Sequence, residues 1–225
     1  MHMNNNDRRI RHVIFDLDGT LLDTSEGIIE SVKYVMNVRG YSKISDSELY
    51  SFVGPPLRQS FIKQFRINEQ EADVAVDCFR ENYSDRALLK AKPYDGIYDL
   101  CTRLNSNNIK MSVATYKPED YATRLIEHFG FDKYFESVHG ADKEGLLKKE
   151  DIILICVNEM KCDSQETVMI GDTLHDAEAA YNTGLGFIAV TYGFGFHDDS
   201  DIDKYPNIGV AGSTFDTGNV ILRNV

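Results

Sequence analysis

Long apolar runs are missing from this chain of 225 residues. No segment approaches the roughly 20 residues of a bilayer span, so a membrane-spanning helix is excluded. The opening Met1-His2-Met3-Asn4-Asn5-Asn6 lacks an apolar stretch, so no secretory signal is expected, and the asparagine run reads as a frayed terminus. Positive charge is in deficit: 24 Lys and Arg face 36 Asp and Glu, a formal charge of −12. That balance argues against a broad nucleic-acid interface. It does not exclude a small phosphate, because a bound cation and local geometry reverse the sign inside one pocket. Cysteine is scarce, and Cys78, Cys101, Cys156 and Cys162 form no C-x-x-C and have no His partner at zinc-like spacing. Reduced, mostly buried thiols in a cytoplasmic chain are expected. No repeat is present. No G-x-G-x-x-G follows the first apolar run either, and Gly193-Phe194-Gly195 is too late and incomplete, which excludes an ordinary nicotinamide dehydrogenase.

What is present has the rhythm of an α/β fold. His12-Val13-Ile14-Phe15-Asp16 reads as a buried parallel strand ending in an acid. Apolar positions at Ile28, Ile29, Val32, Val35 and Val38 predict a helix from Ser25, with Asp23 and Glu26 as a capping pair and Gly40 as the stop. Helices continue from Asp46 to Leu89, broken at Gly54-Pro55-Pro56. After Pro93 the pattern alternates. Strands are predicted at Ile109–Ala114, Tyr134–Val138, Thr167–Gly171 and Phe187–Thr191. Helices are predicted at Ile97–Leu104, Glu119–Phe129, Asp151–Met160 and His175–Asn182. This alternation implies a doubly wound parallel sheet, residues 1–22 plus 93–225, interrupted by an all-helical insert over 23–92.

In such sheets ligands bind beyond the carboxyl ends of the strands. Those ends carry Asp16-Leu17-Asp18-Gly19-Thr20, Thr115-Tyr116-Lys117 and Gly171-Asp172-Thr173-Leu174-His175-Asp176. Four carboxylates brought together are unfavourable unless a cation sits among them. Oxygen donors without His or Cys suit Mg²⁺. That set points to phosphoryl chemistry, with one aspartate as nucleophile and a second, two residues on, as acid and base.

These motifs resemble the haloacid dehalogenase superfamily of phosphohydrolases, and the resemblance covers nearly the whole chain. D-x-D-x-T is Asp16, Asp18 and Thr20; the strand-terminal Ser or Thr is Thr115; the acidic G-D-x-x-x-D is Gly171, Asp172 and Asp176. The motif lysine lies between the adjacent Lys148 and Lys149. The family's K-x-[DE]-[IV]-I run matches Lys149-Glu150-Asp151-Ile152-Ile153 and selects Lys149. The resemblance implies a Rossmann-like core with a helical cap. It implies Asp16 as nucleophile, Asp18 as acid and base, and Mg²⁺ on Asp16, the Asp18 carbonyl and Asp172, with Asp176 in support. Thr115, Lys149 and backbone groups of Leu17, Gly19 and Thr20 would hold the phosphate.

Within the family, Val53-Gly54-Pro55-Pro56-Leu57, Lys92-Pro93-Tyr94-Asp95-Gly96 and Tyr192-Gly193-Phe194-Gly195 are similar to phosphoglycolate-phosphatase-like members. Gly54, Arg58 and Lys117 are the implied specificity positions. The expectation is a Mg²⁺-dependent phosphatase for a small phosphorylated metabolite, acting as a monomer or small homo-oligomer without nucleic-acid or membrane partners. A β-phosphoglucomutase-like phosphomutase and a non-catalytic binding or regulatory protein are the alternatives. Dehalogenase is disfavoured because Asp18 is present, and phosphonatase because its first motif has Ala there. Each residue also has a plainer reading. Asp16 and Asp18 fit a polar turn, Thr115 a helix N-cap, Asp176 a first-turn acid, and Lys117 a solvated loop lysine. His175 fits exposed polar filler, and Arg58 a surface arginine.

Overall fold

The computed structural model describes residues 9–142, 146–196 and 199–224, with backbone alone at 199 and 200. The run Asn4 to Asn6 lies outside the described residues. In chain order the elements begin with β1 (His12–Phe15), β2 (Leu22–Asp23), α1 (Ser25–Arg39), α2 (Asp46–Tyr50), α3 (Leu57–Phe65) and α4 (Glu69–Asn82). A π-helical turn (Tyr83–Ala87), β3 (Lys92–Pro93), α5 (Ile97–Ser106), β4 (Lys110–Pro118), α6 (Glu119–His128) and β5 (Ser137–Ala141) follow. The chain closes with α7 (Lys149–Met160), a 3-10 turn (Ser164–Glu166), β6 (Thr167–Gly171), α8 (Leu174–Thr183), β7 (Gly186–Val190), α9 (Asp199–Ile202), β8 (Gly209–Ala211) and α10 (Thr214–Leu222). These form two compact units, Met1–Leu22 with Pro93–Val225, and Asp23–Lys92.

The first unit is built on a six-stranded sheet of order β5-β4-β1-β6-β7-β8 in which every neighbouring pair is parallel. β1, β6 and β7 are buried at every residue. Strands covered on both faces cannot alternate polar and apolar residues, which is why they read as unbroken apolar runs. The chain order reverses at β1, and such a reversal opens the crevice in which α/β sheets bind ligands. Register sets the level of that crevice: Phe15 lies beside Val113 of β4 and Ile170 of β6. Asp16 after β1, Asp172 after β6, and Thr115 in the last part of β4 therefore come together at one edge of the sheet. On one face, Ile152, Ile153 and Cys156 of α7 join Met169, Ala177 and Phe187 in a single apolar cluster. Each such buried aliphatic or aromatic side chain contributes about 1.5–3 kcal/mol.

The second unit is helical. Val32, Phe52, Phe61, Phe79 and Tyr83 are buried in it, and Asn82 Nδ2 donates to Ser31 Oγ at 3.0 Å between α4 and α1. Reciprocal capping boxes at Ser45 with Glu48 and at Asn68 with Glu71 start α2 and α4, satisfying first-turn N–H groups that have no partner inside the helix.

Several local expectations are corrected. The strand expected at Tyr134–Val138 runs over Ser137–Ala141, because Phe135 turns inward and meets the edge of the Phe15 ring at 5.8 Å. β4 continues past Ala114 to Pro118 through a bulge. Asp23 does not cap α1 with Glu26; its Oδ1 accepts from Ser25 N and Ser25 Oγ at 3.0 and 2.6 Å. Gly40 does end α1, at φ 68°. β8 and α10 extend the sheet and its cover beyond the last predicted strand.

Candidate active site

β1 delivers Asp16, β6 delivers Asp172, and the first turn of α8 delivers Asp176. All three are buried, and one oxygen of each lies within 4.8 Å of the other two. Lys149, at the start of α7, reaches into this group. Its Nζ stands 2.6 Å from Asp16 Oδ1 and 2.8 Å from Asp176 Oδ1. Its backbone N–H donates to Tyr116 Oη at 3.1 Å. Lys148 is exposed, and its N–H donates to Asp151 Oδ2 at 2.9 Å. Of the two adjacent lysines, the structure brings Lys149 to the acids.

Asp176 divides its oxygens. Oδ2 accepts from Thr173 Oγ1 at 2.6 Å and Thr173 N at 3.1 Å, closing a capping box on α8, while Oδ1 faces Lys149. It is both a first-turn acid and a member of the buried group. The Asp18 side chain is not in that trio. Its Oδ1 lies 3.0 Å from Lys117 Nζ.

The electrostatics follow from burial. Desolvation, then the charges of Asp176 and Asp18, push Asp16 up to about 7 against the opposing pull of Lys149. Desolvation, then Asp176 and Asp16, push Asp172 up to about 8, although the N–H groups of Phe194 and Gly195 act the other way. Burial works against the charge on Lys149, yet Asp16 and Asp176 hold it above the ordinary lysine range. Among the described residues around this mouth, four carboxylates (Asp16, Asp18, Asp172 and Asp176) face two ammonium groups, Lys117 and Lys149. With all four ionised, the surplus of two negative charges on hard oxygen donors fits one divalent cation of the Mg²⁺ type.

Thr115 is buried and is not a helix N-cap; α6 begins after Pro118. Its Oγ1 accepts from Lys117 N at 3.2 Å, which leaves its hydroxyl hydrogen free to point elsewhere. Lys117 is buried rather than solvated. Gly19 and Thr20, expected to offer N–H groups to a phosphate, spend them within the loop, Gly19 on Leu22 O at 2.9 Å and Thr20 on Leu17 O at 3.4 Å. Leu17 is fully buried. Gly19 instead shapes the loop. Its φ is +83°, and a Cβ there would stand 2.2 Å from Asp172 Oδ2. Thr20 Oγ1 donates to Asp172 Oδ1 at 3.5 Å.

In the second unit, Gly54 is exposed with φ +102°. Arg58 is committed to Asp73 at 2.6 Å and Glu69 at 3.2 Å. His175 is exposed at the edge of the Tyr116 ring.

One part of the site, the Tyr192-Gly193-Phe194-Gly195 run, carries a family likeness but no expected role. The backbone N–H groups of Phe194 and Gly195 donate to Asp172 Oδ2 at 2.7 and 3.1 Å. Gly193 makes the approach possible, since a Cβ there would meet Gly19 O at 2.3 Å and Asp172 Oδ2 at 2.4 Å. The family-like run and its Gly-x-Gly spacing after β7 mark the segment, but neither points to the backbone N–H groups that hold Asp172.

The family model of haloacid dehalogenase-like hydrolases matches residues 13–190. A 5'-nucleotidase of Pseudomonas aeruginosa is 34% identical over 192 residues, covering 85% of this chain and 87% of its own. The tyrosine-protein kinase PtkA of Mycobacterium tuberculosis is 32% identical over 191 residues, 84% of this chain, and the chain spans 65% of that kinase's length. The crystal structure of a predicted phosphatase from Clostridium acetobutylicum aligns with a TM-score of 0.87 at 35% identity, over 95% of this chain and 99% of that one.

Proposed function

Because the chain belongs to the haloacid dehalogenase-like hydrolases, as a phosphatase among them, we propose that it hydrolyses a small soluble phosphate monoester, phosphoglycolate-like or a nucleotide, through an aspartyl-phosphate on Asp16. The observation that carries this reading is the buried Asp16, Asp172 and Asp176 group with Lys149 against Asp16. Asp16, the Asp18 carbonyl and Asp172 would hold Mg²⁺, with Asp176 in support. The ion would offset charge on the phosphoryl oxygens.

In the first half-reaction an Asp16 carboxylate oxygen attacks phosphorus. The bond from phosphorus to the leaving oxygen breaks, and a proton passes from the Asp18 carboxyl group to that oxygen, releasing the alcohol. In the second, water attacks phosphorus and gives its proton to the Asp18 carboxylate. The bond to Asp16 breaks, and inorganic phosphate leaves. Thr115 would donate its hydroxyl to a phosphoryl oxygen, and Lys149 would offset the charge shared between Asp16 and the phosphoryl group.

The kinase name carried by one relative favours a second reading, in which a hydroxyl acceptor replaces water in the second half-reaction. A Mg²⁺ assay over phosphoglycolate, nucleoside monophosphates, pyrophosphate and sugar phosphates, with Asp16→Asn as control, tests both. Inorganic phosphate released from one class supports hydrolysis. A sugar 1-phosphate converted to its isomer supports transfer, as in a phosphomutase. Turnover by Asp16→Asn refutes the covalent route. The proposed partner is a small phosphorylated metabolite, and the proposed compartment the cytoplasm. Among the described residues, no helix is long and apolar enough to cross a membrane.

A further inference from the structure

We infer that Lys117 is a positioning residue for Asp18, holding its carboxyl group where the leaving oxygen of the ester is protonated. The inference rests on the phosphatase reading above and adds to it a residue with a separable effect. Lys117 Nζ lies 3.0 Å from Asp18 Oδ1, with the two side chains 5% and 14% exposed. Its ion pair and the backbone that carries it both bear on where the ammonium stands.

The backbone part is the β4 bulge. Pairing of β4 with β5 passes from Ala114 opposite His139 to Pro118 opposite Ala141, so β4 advances further than its partner across this step. Bulges of this kind re-aim side chains. The displaced stretch is anchored at both ends. Thr115 Oγ1 accepts from Lys117 N. Beyond Pro118, Glu119 Oε2 accepts from Gly140 N at 3.2 Å and lies 3.4 Å from His139 Nδ1. The two lysines of the mouth are thereby divided, Lys149 to Asp16 and Asp176, Lys117 to Asp18. An aspartate turns about two side-chain bonds, and misplacement by about 1 Å costs roughly 100-fold in rate.

The test compares two esters. The leaving group of p-nitrophenyl phosphate departs without a proton, whereas that of glycerol phosphate requires one, and kcat/KM reports the steps through the first phosphoryl transfer. Lys117→Met is expected to lose at least about tenfold more kcat/KM on glycerol phosphate than on p-nitrophenyl phosphate. Introduced into Asp18→Asn, the same change is expected to cost nothing further on glycerol phosphate. Equal losses on the two esters overturn the inference, as does a continued loss in the Asp18→Asn background. The double variant keeps the test valid if Lys117→Met also weakens the fold, because a structural loss would persist without Asp18. Failure of the phosphatase reading is distinguishable, since it would appear as an inactive wild type on both esters or as an active Asp16→Asn.

Discussion

Lys149 and Asp16 meet at 2.6 Å in a buried pair, and the same ammonium stands 2.8 Å from Asp176. One cation thus joins an acid from the end of β1 to an acid from the first turn of α8. Removing it leaves two buried carboxylates facing each other and the negatively charged phosphate under attack. Lys149→Ala is expected to lower kcat by about 10²–10³-fold, while Lys148→Ala, whose side chain is exposed, stays within about twofold. Steady-state kinetics of the two variants check this pair directly.

Asp172 and Asp16 predict how metal-free stability changes with pH. Their folded values, about 8 and about 7, lie above the ordinary 3.8. Between those limits the folded state binds more protons than the unfolded one, so stability falls as pH rises. A bound divalent cation reverses that loss. The rise in melting temperature on adding Mg²⁺ is therefore expected to be larger at pH 8 than at pH 5. Asp172→Asn is expected to raise the melting temperature in chelator at pH 8 and to remove most of the response to Mg²⁺. A Mg²⁺ response that is equal at both pH values would contradict the assignment.

His12 acts in the opposite direction. It is buried in β1, its Nε2 is 2.7 Å from Ser112 Oγ, and burial followed by the charge of Lys110 pushes it from 6.5 to about 4. The unfolded chain then binds the extra proton, so the stability from a neutral His12 is complete above pH 6.5 and is lost as pH falls toward 4. Between pH 7 and pH 4 the wild type should lose about 3 kcal/mol more than His12→Asn. Urea unfolding of both proteins at the two pH values measures the difference.

Gly193→Ala tests the cradle of Asp172. The added methyl would stand 2.4 Å from Asp172 Oδ2 and 2.3 Å from Gly19 O, so either the β7 loop or the carboxylate must move. Apparent Mg²⁺ affinity is expected to weaken by about 10- to 100-fold, read from the Mg²⁺ dependence of turnover. Unaltered Mg²⁺ dependence would show that the loop does not position Asp172.

The parallel sheet was legible because fully buried strands leave unbroken apolar runs, as in Val13-Ile14-Phe15 and Val168-Met169-Ile170. The acids were legible because Asp16 directly follows one such run and Asp172 follows the other one residue on, after Gly171. Partners supplied by backbone were not. Phe194 and Gly195 hold Asp172 through backbone N–H groups that every residue but proline possesses. The inward turn of Lys117 depends on a register shift between β4 and β5, which is a relation between strands rather than a property of either. The three-residue β8 is too short to show a period, and Phe135 mimicked a strand residue while packing as a core aromatic.

Whether Asp16 takes up the phosphoryl group is read by acid-quenched mass spectrometry of the enzyme during turnover with Mg²⁺. The peptide carrying Asp16 is expected to gain the mass of one phosphoryl group, and Asp16→Asn is expected neither to gain it nor to release phosphate. An unmodified peptide together with phosphate release by Asp16→Asn at the wild-type rate would contradict uptake by Asp16.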